Sequence, residues 1–388
     1  MMKVTGIIAE CNPLHEGHKY LIDRARSRCG ADYIVVALSG DYVQRGAPAI
    51  LSREARTSEL LQAGADLVVE LPLYVSCSGA DYFARGAVAL MESLGVVTDL
   101  AFGSESGDIE GLEKAAAVLS AEPEEFRQEL REGLREGLTY AQALAAAVHD
   151  IDLPATPNDL LGTHYLQALA KSGSAIRAHA IKRTDSRSAS EIRAQMISSR
   201  QCGDPCLCRD DFSDLLLHAL CGAGSADALA DCLDVSPDLA SRIMKELPFY
   251  RSYSQFCARV KTRNYTYTRI SRALLHILLG MTAEAMERFD TEHGLCGWIR
   301  PIGFRKSAAP LIRSITSSCS VPYLDKLSKA PEVLPADLYA LLEQELQAEF
   351  LYDLMAARRS AANQKDASIE GVPYGMRKPL ITQGRAQD

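Results

Sequence analysis

Val4-Thr5-Gly6-Ile7-Ile8-Ala9-Glu10-Cys11-Asn12-Pro13-Leu14-His15-Glu16-Gly17-His18-Lys19-Tyr20-Leu21 joins a short apolar run to a His-x-Gly-His turn and a helix start. The run from Val4 to Ala9 is bounded by Asn12-Pro13, which predicts a central parallel strand covered on both faces. Two imidazoles stand three residues apart across a glycine where the helix begins, so backbone N–H groups and the positive helix end face one space. An anion suits it. If that anion is the α-phosphate of ATP, His15 and His18 donate hydrogen bonds to the oxygens that gain charge as pyrophosphate leaves. Gly17 then lets the backbone approach closely. The alternatives are a surface histidine pair or a fragment of a structural zinc site, and zinc would need two further ligands that the neighbouring sequence does not offer at metal-like spacing.

Outward from this turn, short β-rich runs at 4–9, 33–38, 67–71, 99–102 and 175–181 alternate with helical patterns at 52–63, 82–94 and 109–119. The stretch 121–149 reads as one or two longer helices. Such alternation predicts an α/β fold with a parallel, doubly wound sheet, whose ligands bind at the carboxyl ends of the strands. After about residue 210 the strand signals fade, and 215–220, 226–233, 239–247, 270–279 and 338–354 are helical in pattern. The expected organisation is an ATP-binding α/β domain over 1–200, a polar linker around 198–210, an α-helical domain over 210–360 and a partly mobile tail over 361–388.

The chain has 388 residues, enough for two domains, with 47% apolar and 24% charged residues. It shows neither a secretory leader pattern nor the long apolar run of a spanning helix, so a cytoplasmic protein without membrane contact is expected. The eleven cysteines are mostly scattered among apolar neighbours, as reduced thiols would be. Only Cys202, Cys206 and Cys208 cluster; they lack a clear fourth ligand, and a flexible loop is the preferred reading over a metal site. A net charge of −8 argues against indiscriminate coating of nucleic acid. Yet residues 251–283 contain no acid and interleave Lys261, Arg263, Arg269 and Arg272 with tyrosines, and 294–324 is again acid-free and carries Arg305 and Lys306.

Other motifs fall at predicted strand ends. The loop after the second strand, with Gly40, Asp41, Gln44 and Arg45, suits substrate binding, Arg45 pairing with a carboxylate or polyphosphate, or is a plain capped turn. Gly103 ends the fourth strand, where a base or ribose can lie on the backbone. Asn158 reads as the N-cap of a helix. The fifth strand runs into Lys182-Arg183 and then Ser188-x-Ser190-x-Ile192-Arg193, which brings hydroxyls, N–H groups and a guanidinium to one place and suits the β- and γ-phosphates.

His15-x-Gly17-His18 together with Ser188-x-Ser190-x-Ile192-Arg193 resembles the paired signatures of the nucleotidyltransferase superfamily, whose catalytic domain is Rossmann-like. More narrowly, Gly6 to His18, Ser39-Gly40-Asp41-Tyr42-Val43-Gln44-Arg45-Gly46-x-Pro48-Ala49, Pro157-Asn158-Asp159, Ile181-Lys182-Arg183 and the segment Tyr265 to Gly280 resemble the tRNA(Met) cytidine acetate ligase family. Cys11 and Leu14 depart from its usual aromatic residues, and the loop between Arg183 and Ser188 is shorter than usual. The resemblance implies an ATP-dependent ligase forming a C–N bond: acetate is activated as acetyladenylate, and the acetyl group passes to N4 of the wobble cytidine of elongator tRNA(Met). It further implies ATP contacts from Ile7, Ile8, Ala9, Glu10, Cys11, Asn12, Pro13, Leu14, His15, Glu16, Gly17, His18, Lys19 and Tyr20, completed by Gly103, Asn158 and Arg183. The basic helical segment would hold the tRNA, and Mg²⁺ would accompany the triphosphate. Two other readings remain open at this level: a small-molecule adenylyltransferase of the same superfamily, and a non-catalytic tRNA-binding protein.

Overall fold

Val4–Ala9 forms strand β1, and its alternate side chains enter two different cores. Val4 and Ile8 pack with Val35, Ala37 and Val69 on one face, and Ile7 packs with Ile34, Val36 and Leu38 on the other. This is the two-sided burial that an apolar run with no polar alternation demands. Each such side chain contributes roughly 1.5–3 kcal/mol relative to exposure. The computed structural model describes residues 2–121, 124–136, 143, 156–184, 188–199, 206–263, 265–363 and 379–383. Its strands are β2 (Tyr33–Ser39), β3 (Tyr42–Val43), β4 (Ala47–Pro48), β5 (Leu67–Leu71), β6 (Asp99–Ser104), β7 (Arg177–Lys182), β8 (Pro301–Arg305) and β9 (Leu380–Thr382).

Seven strands build the main sheet in the order β7-β6-β1-β2-β5-β8-β9, and β3 and β4 pair as a separate hairpin. From β7 to β5 every neighbour is parallel. The chain leaves β1 toward β2 and returns on the other side as β6, so β1 and β6 flank the point where the winding reverses. Ligands of open α/β sheets bind outside the carboxyl ends of strands at such a point. The helix Glu16–Cys29 starts there; His15 caps it, Arg26 and Arg28 occupy its last turn, and Gly30 ends it in the left-handed region at φ 61°.

The second half is helical, as expected, with helices that include Pro237–Glu246, Tyr253–Val260, Tyr267–Leu279, Ala283–His293 and Ala336–Asn363. It is not purely helical. β8 returns to the sheet antiparallel to β5, pairing Leu67 with Phe304 and Val68 with Gly303, and β9 adds itself to β8. A five-residue strand that contains both Pro301 and Gly303 has weak local signal, and its register is set by a partner in the first half of the chain. Much of the expected 361–388 tail lies outside the described residues, but Leu380–Thr382 is a strand. Of the stretch 121–149 expected to be one or two longer helices, Glu124–Glu136 is helical, and most of 137–149 lies outside the described residues.

A buried ionic cluster fastens the two halves. Arg53 donates to Glu70 at 2.7 Å and to Glu349 at 2.5 Å, and Arg300 bonds Glu349 and lies 3.3 Å from Glu345. Burial and the nearby Glu70 push the Glu345 carboxyl up, whereas Arg300 and Arg53 hold Glu349 low against the opposing effect of burial. Among the described residues no helix is long and apolar enough to cross a membrane.

Candidate active site

A cleft of about 230 Å³ opens at the carboxyl ends of β1 and β6. Its floor is the main chain from Ile8 to Asn12. One side is Gly17, His18 and Tyr20 of the first helix, and the opposite side is Gly103 with Pro157 and Asn158. Lys182, Arg183, Arg193, Gln44 and Arg45 add cationic and amide groups to the lining, with Arg45 and Arg193 close enough to repel each other, and Phe83, Phe102, Leu161 and Tyr165 supply an apolar wall. Sequence elements that are far apart thus meet in one space.

The local geometry explains why these residue types stand here. Cys11 adopts φ 46° to turn the chain out of β1, a left-handed conformation that costs a β-carbon residue roughly 1–2 kcal/mol. His15 then caps the helix in an unusual way: the Gly17 N–H donates to its Nδ1 at 3.1 Å, and the His15 N–H donates to Nδ1 of His18 at 3.2 Å. The two rings lie 3.9 Å apart between centroids. With both Nδ1 atoms accepting, each proton sits on Nε2, so both rings are neutral donors. Burial lowers the His18 pKa to about 3, helped by His15 and Arg183. Burial and then Arg183 also lower His15, with Glu16 opposing.

On the other side, Asp159 is fully buried and organises the turn after β6. It accepts from the main-chain N–H groups of Glu105 at 3.1 Å and Ser106 at 3.0 Å, and from the Ser104 hydroxyl. Asn158 is the second residue of the helix Pro157–Ser172, not its cap; the cap position is Thr156. Its amide donates to Glu105 at 2.5 Å, which holds it against the cleft. A side chain at Gly103 would make only ordinary contact with Arg183, at 3.6 Å, so packing alone does not require a glycine there; the open face is toward the cleft.

The serines of the second motif bond within their own helix start. The Ser188 hydroxyl accepts from the Glu191 N–H at 3.2 Å while Glu191 accepts from the Ser188 N–H at 2.9 Å, a capping box for the helix Ala189–Ser199. Ser190 accepts from Arg193 at 3.0 Å, and Arg193 also donates to the Asn12 carbonyl at 2.6 Å. The motif therefore carries Arg193 to the first strand, and Arg193, with Ala189, lines the cleft.

Several residues expected at the nucleotide, the acid substrate or the tRNA lie away from the cleft lining or below the surface. Leu14, Glu16 and Lys19 line a separate hollow with Asp23 and Arg26, and Glu16 and Lys19 pair with each other at 2.8 Å; helical periodicity turns them to the outer face. Ile7 points into the far core, and neither Pro13 nor His15 is among the residues that line the cleft, His15 standing behind His18 with the two ring centroids 3.9 Å apart. Gly40 and Asp41 lie beneath the loop that carries Gln44 and Arg45: Asp41 is buried and accepts the Arg53 N–H at 2.7 Å, and a side chain at Gly40 would meet Glu70 at 2.7 Å. Of the basic residues expected at the tRNA, Lys261, Arg263, Arg269 and Lys306 are exposed. Arg272 is largely covered and bonds Asp234 at 2.9 Å. Arg305 is buried at the end of β8, donating to the Leu61 carbonyl at 3.1 Å, because its strand joined the sheet. Cys202 lies outside the described residues, Cys206 is disulfide-bonded rather than a reduced thiol, and Cys208 is a half-buried thiol.

Sequence reasoning missed the wall of Phe83, Phe102, Leu161 and Tyr165, since apolar residues in a helix or a buried strand look the same whether they face a core or a cleft. It also took Asp159 no further than its place in a motif. Three groups of possible metal ligands occur among the described residues, Cys29 with Asp99 and His179, Glu292 with His293 and Asp337, and Glu70 with Glu345 and Glu349. None lines the cleft.

A doubly wound sheet with a neutral histidine pair, a glycine strand end and a ring of arginines at its switch point defines a nucleotide-binding domain of the HIGH class. The sequence model of the HIGH Nucleotidyl Transferase family matches residues 2–202 and 194–367. The chain is 33% identical to the tRNA(Met) cytidine acetate ligase of Acetivibrio thermocellus over 90% of its length and 94% of that protein. It is 34% identical to that of Clostridium kluyveri over 87% of its length and 93% of the relative. The crystal structure of Thermotoga maritima TmcAL bound with alpha-thio ATP superposes with a TM-score of 0.84 at 28% identity, covering 92% of this chain and 95% of that one. The chain belongs to the tRNA(Met) cytidine acetate ligase family.

Proposed function

We propose that the protein activates acetate with ATP as acetyladenylate and transfers the acetyl group to N4 of the wobble cytidine of elongator tRNA(Met), in the cytoplasm. The observation that carries this reading is the locked pair of Nε2–H donors at His15 and His18, in the turn beside the cleft that His18 lines, in a chain whose relatives bear that name. The acetate carboxylate attacks the α-phosphorus, an oxygen–phosphorus bond forms and pyrophosphate leaves. His18 and His15 donate to the α-phosphate oxygens as charge builds, without reorientation, since the backbone fixes both rings. Arg183 and Arg193 hold the phosphates, the Ile8–Asn12 backbone and Gly103 face the nucleoside, and Asn158 borders it. Ser188 and Ser190 support Arg193 rather than touch the nucleotide.

The Gln44 amide nitrogen is buried without a hydrogen-bond partner among the described residues. An unpaired buried donor costs about 1–3 kcal/mol, and beside the Arg45 guanidinium it suits a carboxylate. Acetate fits there, with its methyl toward the apolar wall. Mg²⁺ accompanies the triphosphate, with few protein ligands.

The tip of the same loop rests on the helix Tyr267–Leu279. The Ser271 hydroxyl donates to the Gly46 carbonyl at 2.6 Å, and Arg209 bonds both Ser271 and the Gly46 carbonyl. The exposed Arg269, stacked over Tyr265 at 5.1 Å, together with Lys261 and Arg263, begins the tRNA surface there, so bound tRNA lies next to the cleft. The deciding experiment is mass analysis of nucleosides from tRNA incubated with the protein, ATP and labelled acetate. Label in N4-acetylcytidine is expected. An adenylated small molecule instead would favour a cofactor adenylyltransferase, and tRNA binding without ATP binding would favour a non-catalytic role.

A further inference from the structure

We propose that Glu10 is the base that accepts the proton from the exocyclic amine of the target nucleobase during acyl transfer, an assignment that rests on the acetyl-transfer reading above. An aromatic amine is a weak nucleophile whose N–H becomes acidic as the new bond forms, so a base in contact with it lowers the barrier. In the step, the amine nitrogen bonds to the acetyl carbon and the bond from that carbon to the phosphate oxygen breaks. AMP leaves with the bond's electron pair, and one amine proton passes to the Glu10 carboxylate.

The histidines cannot take this role, because both Nδ1 atoms are engaged by backbone N–H groups and both Nε2 atoms carry protons. Glu10 lies at the end of β1 on the cleft wall with His18, Gln44, Arg45 and Arg193. It is positioned from two sides: its carbonyl accepts from Arg56 at 2.8 Å, and its Oε1 accepts the Gln44 N–H at 2.8 Å. Oε2 has no hydrogen-bond partner among the described residues. One oxygen thus fixes the carboxyl and the other is left for a ligand.

Burial raises the Glu10 pKa against the lowering effects of the Gln44 N–H, Arg45, Arg193 and Arg56, which brings the base nearer the operating pH. The titratable groups near it are those three arginines, Cys77 and Tyr165 from other elements, and the adjacent Cys11. The thiols and the phenol are themselves pushed up by burial and stay neutral, so Glu10 is the group among these able to accept a proton near neutral pH.

The test compares Glu10→Gln, which keeps an acceptor for the Gln44 N–H, with wild type in two readings on the full-length protein. One is acetate-dependent ATP–pyrophosphate exchange; the other is single-turnover formation of N4-acetylcytidine in tRNA between pH 5 and 9. The expected result is a transfer rate that falls about 100-fold more than exchange, within the range for loss of a general base, together with loss of the rising limb of the transfer pH profile. Equal losses in both readings would make Glu10 a nucleotide-positioning residue and overturn the assignment, as would transfer at the wild-type rate. Should Glu10→Gln fail to fold, Glu10→Asp, which keeps the carboxyl but withdraws it, serves in its place, and again transfer must fall more than exchange. Wild type that exchanges pyrophosphate yet makes no N4-acetylcytidine would instead remove the reaction on which the assignment depends, and the assignment with it.

Discussion

The main-chain N–H of His15 donates to Nδ1 of His18 at 3.2 Å, so the first histidine of the turn sets the tautomer of the second. The backbone around Gly17 does the same for His15. A pair that looks in sequence like two titrating imidazoles is in the fold a pair of fixed neutral donors. His18→Ala is expected to reduce acetate-dependent pyrophosphate release by about 100- to 1,000-fold, the usual loss for one donor to a developing anion. Binding of tRNA, measured by filter retention at fixed salt, should stay within about twofold; equal loss of both would contradict the assigned role.

The low pKa of His18, about 3 in the folded chain, makes a pH prediction. An unfolded histidine titrates near 6.5. Below that pH the unfolded state binds a proton that the folded state refuses, so stability falls as pH drops from about 6.5 toward 3 and is unaffected above it. Subtracting the pH profile of His18→Asn, from urea midpoints between pH 4 and 8, should isolate this component. A difference that does not vary with pH below 6.5 would count against it.

Gly46 has φ 68°, and a β-carbon there would lie 2.3 Å from the backbone nitrogen of Arg272. Gly46→Ala must lift the loop from the helix Tyr267–Leu279. The expected cost is about 1–3 kcal/mol, with a rise in KM for acetate larger than that for ATP because Gln44 and Arg45 sit on the displaced loop. A mutant with unchanged acetate KM would separate this loop from acetate binding.

Arg300 neutralises Glu349 and Glu70 where β8 and the helix Ala336–Asn363 meet the sheet. Arg300→Leu leaves buried carboxylates without their partner, so chemical denaturation should report a loss of about 3–5 kcal/mol. Replacing the arginine and its main partner together, Arg300→Leu with Glu349→Leu, should recover part of that loss. A double variant no better than the single would show that the cluster acts through shape rather than charge.

Much of the first half was legible from local pattern. The strands expected at 4–9, 33–38 and 67–71 appear as β1, β2 and β5 with their ends shifted by no more than one residue, because uninterrupted apolar runs between polar turns have few other uses. The residues from Ile8 to Asn12, Gly17, His18, Gly103, Asn158 and Arg183 do meet in one cleft. Arg305 shows the limit: in sequence it belongs to a basic, acid-free stretch, yet pairing of Phe304 with Leu67 carries it into the sheet. Nothing within ten residues of Arg305 encodes that partner.

The sequence by itself determined the winding of the sheet, the helix start at the histidine turn and the presence of two phosphate-type motifs. Those depend on side-chain periodicity, capping and charge over a few neighbouring residues. Only the tertiary structure decided which faces those motifs present. It made the histidines neutral through burial and fixed their tautomers through backbone hydrogen bonds, set Ser188 to cap a helix and Ser190 to hold Arg193, buried Asp41 and Arg305, and left the Gln44 amide nitrogen and one oxygen of Glu10 without hydrogen-bond partners among the described residues. Each of those outcomes depends on desolvation and on partners distant in the chain, terms to which local pattern does not respond.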